Sequence, residues 1–257
     1  MNSVIRKIGY SIIGIFTLGK GVTKKINGIA VKFPANYFRY FPDGYEKENF
    51  TLINTAVNKD DVVIDIGAHI GLMAVVLGKR TGENGKVYSF EPTPRSFTVL
   101  KETIKLNKLE KVITPFNQAV AATSGSIEFN ANKEDVSNSI VSYDYNSGHQ
   151  KITVNTISVD DFVKQQQLSR LDFIKIDAEG VELDVLKGAK ATLQQFNPKM
   201  ILALHPLAVA AKGDTMEEIY DTLTAWGYKI FHNNREMAKN LFCETATLFD
   251  VYLEKIK

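Results

Sequence analysis

Cysteine is nearly missing from this chain: Cys243 stands alone among 257 residues. A lone thiol cannot close a disulfide within the chain, so a disulfide-stapled scaffold is excluded and a reducing compartment is the easier fit. Net charge is nearly missing too. Lys and Arg number 31 against 29 Asp and Glu, leaving +2, too little to imply a phosphate-backbone partner. Long apolar runs are lacking. The uncharged stretch from Ile8 ends at Lys20, short of the roughly 20 residues a spanning helix needs. Arg6 and Lys7 precede it in the manner of a secretory leader, but no small-x-small cleavage pattern follows. There is no internal repeat and no low-complexity tract. With 44% hydrophobic and 23% charged residues, disorder and fibrous repeats are excluded. The length suits one large domain with a short appendage, and its core needs no covalent staple.

Ile5, Ile8, Ile12 and Ile15 fall at helical spacing. They predict a short amphipathic helix docked on the domain. The alternative is a helix over residues 3–20 lying on a membrane surface, edged by Lys20, Lys24 and Lys25. Residues 1–43 therefore read as an appendage, with a strand at Gly28–Phe33, and 44–257 as the main domain. The expected location is the cytoplasm, with its membrane surface as the alternative.

From Tyr45 to Val57 the pattern is helical. Val62–Ile66, Lys86–Phe90 and Val112–Phe116 are short apolar runs suited to buried parallel strands. Between them lie helices at Leu72–Lys79 and Pro94–Asn107. A polar insertion over about 122–158 carries strands at Ser126–Phe129 and Lys151–Thr156, joined by a long loop that includes Asn138, Ser139 and His149. Regular structure resumes with a strand at Asp172–Ile176, a helix at Val181–Gln194, a strand at Met200–Leu204 and a helix through Trp226. Tyr228–Phe231 and Ala246–Leu253 close the chain as an antiparallel pair. This alternation predicts a doubly wound α/β sheet.

The chemistry concentrates at strand ends. Asp65-Ile-Gly-Ala-His-Ile-Gly71 leaves the first strand of the regular pattern and opens a helix, and Glu91 ends the next strand. Glycines there let backbone approach a ligand, and an acidic residue at the second strand suits ribose hydroxyls. His69 occupies the place of the middle glycine of a dinucleotide fingerprint, which disfavours a pyrophosphate. Asp65 suits a cationic amino group better than a phosphate, as in S-adenosylmethionine. Asp177, Glu179 and Glu182 follow the strand at 172–176, and the two glutamates, three apart, are expected to share a helix face. Their candidate roles are substrate contact, general base or divalent-cation ligand, against plain helix capping. His205 ends the next strand with an ordinary pKa of about 6.5. His149 and His232 read as ordinary surface residues, and Cys243 as a packed small hydrophobe rather than a nucleophile.

Asp65–Gly71, Phe90-Glu-Pro92 and Ile174-Lys-Ile-Asp-Ala-Glu-Gly-Val-Glu182, followed by Leu186-Lys-Gly-Ala189, together resemble the FkbM family of S-adenosylmethionine-dependent methyltransferases. Tyr45-Glu46 and Leu106-Asn107 are similar to its smaller signatures. The resemblance covers about Asn27 to Pro206. It implies a Rossmann-like, seven-stranded, mostly parallel sheet with an antiparallel C-terminal hairpin, of class I methyltransferase type. It implies cofactor contacts from Asp65, Gly67, Ala68, His69, Gly71 and Glu91, with Gln118 and Ala119 near the adenine. The chain departs from the family at His69, where Asn is usual. It departs again at Gln118, and at Ala203, where an acidic residue is common.

The resulting expectation is O-methylation of a hydroxyl on a sugar, glycan, glycolipid or polyketide-type small molecule. His205 and Asp177 are the candidate bases, and Glu46, Glu179 and Glu182 the acceptor contacts. No nucleic-acid partner and no resident metal are expected, a divalent cation ranking third among the roles of the carboxylate cluster. A nicotinamide-dependent oxidoreductase, and a binding protein of this fold without catalysis, remain the alternatives. The oligomeric state is not legible.

Overall fold

The computed structural model of the chain describes residues 19–132 and 149–255. The N-terminal helix expected over 3–20, and Asn138 and Ser139, lie outside the described residues, as does the side chain of His149.

A hairpin comes first, β1 (Val22–Ile26) and β2 (Ile29–Phe33). Only β2 was expected, because Val22-Thr-Lys-Lys-Ile26 reads as polar. Its alternation buries Ile26 while exposing Thr23 and Lys25, the mark of a half-covered strand. Helix α1 (Lys47–Ala56) leads to β3 (Val62–Ile66), α2 (Leu72–Thr81), β4 (Lys86–Phe90), α3 (Pro94–Leu106) and β5 (Ile113–Phe116). The insertion supplies β6 (Ala119–Val120), β7 (Gly125–Asn132) and β8 (His149–Ile157), a separate small sheet in the order β6-β8-β7. After α4 (Val159–Gln165) come β9 (Phe173–Ile176), α5 (Glu182–Lys187), α6 (Lys190–Phe196), β10 (Lys199–Leu204), α7 (Pro206–Lys212) and α8 (Met216–Ala225). The chain ends with β11 (Lys229–His232), β12 (Arg235–Glu236), α9 (Lys239–Glu244) and β13 (Phe249–Glu254).

The main sheet runs β12-β11-β13-β10-β9-β3-β4-β5. Strands β10, β9, β3, β4 and β5 are parallel, and β13 is antiparallel to both β10 and β11. The doubly wound reading holds, with a two-residue β12 added at one edge and α9 between the closing strands. The chain winds outward in both directions from β3, so β3 and β9 flank the switch point where such sheets bind ligands.

One expected helix is two. Gly188 separates α5 from α6, and a Cβ built there would lie 2.3 Å from the Ala121 carbonyl. The Asp160 carboxylate accepts from the Ala191 and Thr192 N–H groups at 3.0 and 2.8 Å and caps the second piece from another element.

The sheet separates two apolar layers. Ile64, Ile66, Ile174, Ile176, Leu202 and Leu204 face α5 and α8, while Val63, Phe173 and Ile201 face the hairpin and α2. Strand periodicity puts Asp65 and Lys175 on the second face, in register beside each other. Charge thus replaces hydrocarbon towards the carboxyl ends of β3 and β9.

Candidate active site

A cavity of about 200 Å³ opens at these carboxyl ends. Its floor is the β3–α2 loop, with Gly67, Ala68 and His69. The Gly67 and Ala68 N–H groups both donate to the Phe90 carbonyl, at 3.0 and 2.9 Å, which ties the loop to β4. Gly67 has φ +78, and a Cβ there would sit 2.0 Å from the Asp177 carbonyl oxygen. Only glycine lets β3 and β9 emerge so close together.

Glu91 forms the wall at β4. Its carboxylate accepts from the His69 N–H at 2.9 Å and from the Thr93 N–H at 2.8 Å. Glu91 is buried, only 6% exposed. Burial pushes its pKa up to about 7, against the pull of those N–H donors. Asn117 donates to the Glu91 and Pro92 carbonyls at 2.9 Å, fixing this corner. Gln118 and Ala119 border the cavity beside it.

The opposite wall is charged. Lys175 is 2% exposed and pairs with Asp177 at 3.1 Å. A buried ammonium needs such a partner. Burial pushes the Asp177 pKa up, but Lys175 and His205 overcome it and hold it below the usual aspartate range. Glu179 also borders the cavity; burial and the Asp177 charge raise it to about 7. From the segment before α1 come Tyr40, Phe41, Tyr45 and Glu46. Phe41 and Tyr40 pack their rings against His69 at 6.3 and 5.1 Å.

The predicted residues are not all brought to the cavity. Asp65 is fully buried beneath the loop, its Oδ1 without a partner, and burial raises it to about 6. Gly71 begins α2 at φ +94 and packs on Leu100 and Thr103. Glu182 is fully buried, and since α5 begins at Glu182, it shares no helix face with Glu179. Its Oε1 accepts from the Gly180 N–H at 2.9 Å and meets His205 Nδ1 at 2.8 Å. The other nitrogen of His205, Nε2, lies 3.7 Å from Asp177 Oδ1. His205 therefore stands behind Asp177, not on the wall. Burial lowers its pKa, but Glu182, Asp177 and Glu179 outweigh this and raise it above the ordinary value. Neither the capping role weighed for Asp177 nor one for the His205 ring is seen, because Val181 and His205 begin their helices without side-chain cap bonds.

Tyr40 and Phe41 were not singled out from the sequence, nor were Lys175, Asn49 and Asp250. Lys175 sat inside a quoted motif, and its signal was a charge in a strand otherwise apolar on both faces. Asn49 and Asp250 carried no signal. Asn49 donates to both Glu46 and Asp250 at 3.0 Å, a link across 201 residues of sequence. Asp250 lies opposite Ala203 in the β10–β13 register, so β13 brings a carboxylate beside the position where β10 has none. Among the described residues no three His, Cys, Asp or Glu side chains are grouped to hold a metal ion.

The model of the methyltransferase FkbM domain matches residues 65–230. The hexuronic acid methyltransferase AglP of Haloferax volcanii is 28% identical over 157 residues, covering 59% of each chain. The 2-O-methyltransferase NoeI of Sinorhizobium fredii is 27% identical over 175 residues, covering 60% of this chain and 70% of that one. The match thus spans about three fifths of the first relative's length. A Clostridium thermocellum structure assigned as an rRNA methylase superposes with a TM-score of 0.52 at 10% identity, over 82% of this chain and 94% of that one. A Streptococcus mutans protein solved in complex with SAH gives 0.50 at 10%, over 82% and 97%. At that identity the likeness is one of fold: the sheet is that of class I methyltransferases.

Proposed function

This chain belongs to the FkbM methyltransferase family, and on that premise we propose that it uses S-adenosylmethionine to methylate a hydroxyl of a sugar, glycan or similar polyhydroxylated small molecule. The observation that carries the reading is one cavity with a glycine loop and Glu91 on one side and the Lys175–Asp177 pair on the other. The residues fit the cofactor. Glu91 offers carboxylate lone pairs to ribose hydroxyls, and Gln118 an amide to the adenine edge. The acidic walls, with Glu46, Asp177 and Glu179, favour an ammonium and a sulfonium. When bound, S-adenosylmethionine supplies an activated methyl group.

The protein's own task is to align the acceptor and take its proton. Asp177, kept ionised by Lys175, accepts the hydrogen bond of the acceptor hydroxyl. The proton passes from that hydroxyl through Asp177 Oδ1 to His205 Nε2. Glu182 fixes the imidazole through Nδ1 and stabilises the cation that forms. This is an orienting carboxylate behind a histidine. Carboxylates outnumber cations on the described cavity walls, which favours a neutral hydroxyl over an anionic carboxylate as acceptor. NoeI, a 2-O-methyltransferase, points the same way.

The cofactor half is tested by calorimetry. S-adenosylmethionine and its demethylated product should each bind and raise the melting temperature by mass action, while NAD should not. NAD binding without either sulfur ligand would reverse the assignment. A protein that binds S-adenosylmethionine but turns over no acceptor in a polyhydroxylated panel would be the non-catalytic alternative.

A further inference from the structure

We infer that the lysine-bearing face built by the hairpin and the C-terminal ends of α2 and α3 docks on an anionic phospholipid membrane. Lys25 and Lys32 stand exposed on the same face of the hairpin. Lys79, in the last turn of α2, reaches the Ala30 carbonyl. The Lys32 backbone exchanges hydrogen bonds with the Asn107 side chain at 3.0 and 2.8 Å, which brings in Lys105 and Lys108. None of these five ammonium groups forms an ion pair among the described residues, whereas the inward-turned Lys24 pairs with Asp43. Burial lowers the Lys79 pKa, and the charge of Lys32 adds to this. Like charges held this close are relieved by a negative surface.

The position of the patch selects the partner. Helix α2 begins at Leu72 on the cavity and runs 10 residues; α3 begins just after Thr93 on the cavity and runs 13. At 1.5 Å per residue the helix-end lysines lie roughly 15–20 Å from the mouth. A nucleic-acid substrate would have to reach that mouth, whose walls are mostly acidic. The chain also enters the fold at the patch. Gly21 has φ +67, and a Cβ there would come within 2.7 Å of Leu106.

The test is sedimentation of the full chain with vesicles of phosphatidylglycerol and phosphatidylcholine, against phosphatidylcholine alone. The expected result is binding to the anionic vesicles only, weakened by salt. Each neutralised cation is worth about five-fold in partitioning. The double variant Lys25→Glu/Lys32→Glu should therefore lose at least about ten-fold. Lys164→Glu/Lys190→Glu, exposed lysines elsewhere, carries the same charge change and should bind as wild type. Unchanged affinity for S-adenosylhomocysteine and an unchanged melting temperature would show that both variants fold. The inference is overturned if wild type ignores anionic vesicles, if both variants lose binding equally, or if an RNA oligonucleotide binds the patch more tightly than the vesicles at equal salt. None of these outcomes bears on the methyltransferase reading.

Discussion

At the scale of single residues, Glu91 and His205 carry the most. Glu91 holds two backbone N–H groups while bordering the cavity. Glu91→Gln keeps one acceptor oxygen and gives up the charge. It should weaken S-adenosylmethionine binding by about 1.5–3 kcal/mol, the range for hydrogen bonds to charged groups, and lower the melting temperature as well. Calorimetry and a thermal scan measure both, and an unchanged dissociation constant removes Glu91 from the ribose site. His205 must be neutral to take a proton, so turnover should rise with pH through its elevated pKa. His205→Ala should lower turnover by about 10²–10⁴-fold, abolish that limb and leave cofactor affinity unchanged. In Glu182→Gln the limb should move to lower pH, because the buried charge that raises the imidazole pKa is gone. A wild-type pH–rate profile in both variants would take the base away from this pair.

At the scale of elements, the loop after β3 shows why the site forms. Gly67→Ala would drive a methyl group into the Asp177 carbonyl at a backbone angle that favours glycine. Overpacking and the positive φ together should cost about 2–5 kcal/mol, read as a shift in denaturant midpoint. An unchanged midpoint would mean the β3–β9 approach is looser than described. The parallel strands and the loop were legible because an apolar run ending at Asp65–Gly71, with Glu91 one strand later, is a local pattern. The break at Gly188 was not, since it depends on Ala121 and Asp160 arriving from elsewhere. Asn49 and Asp250 were hidden for the same reason. Glu182 misled because its spacing from Glu179 reads as one helix face, and only the position of His205 shows why it is buried.

Across the whole molecule, the site is a concentration of buried acid. Burial lifts Glu91 and Glu179 to about 7 and Asp65 and Asp250 to about 6. A folded-state pKa above the unfolded one means the folded protein holds the proton more tightly. The stabilising contribution is full below the unfolded value near 4 and is lost as pH rises through 6 to 7. His205, also raised, acts in the same direction above its unfolded value; Asp177, depressed, opposes only in acid. The ligand-free melting temperature should therefore fall between pH 5 and 8, and the increment from S-adenosylmethionine should grow over the same range as the carboxylates ionise around its positive charge. A ligand-free melting temperature that rises from pH 5 to 8 would contradict this. The central claim is methyl transfer to a hydroxyl, and its most direct measurement is the linkage of the transferred label. With methyl-labelled S-adenosylmethionine and a panel of neutral and uronic-acid-containing glycans, the label should enter a methyl ether that survives mild alkali. Label released by alkali, as from a methyl ester, would place the methyl on a carboxylate and contradict the account.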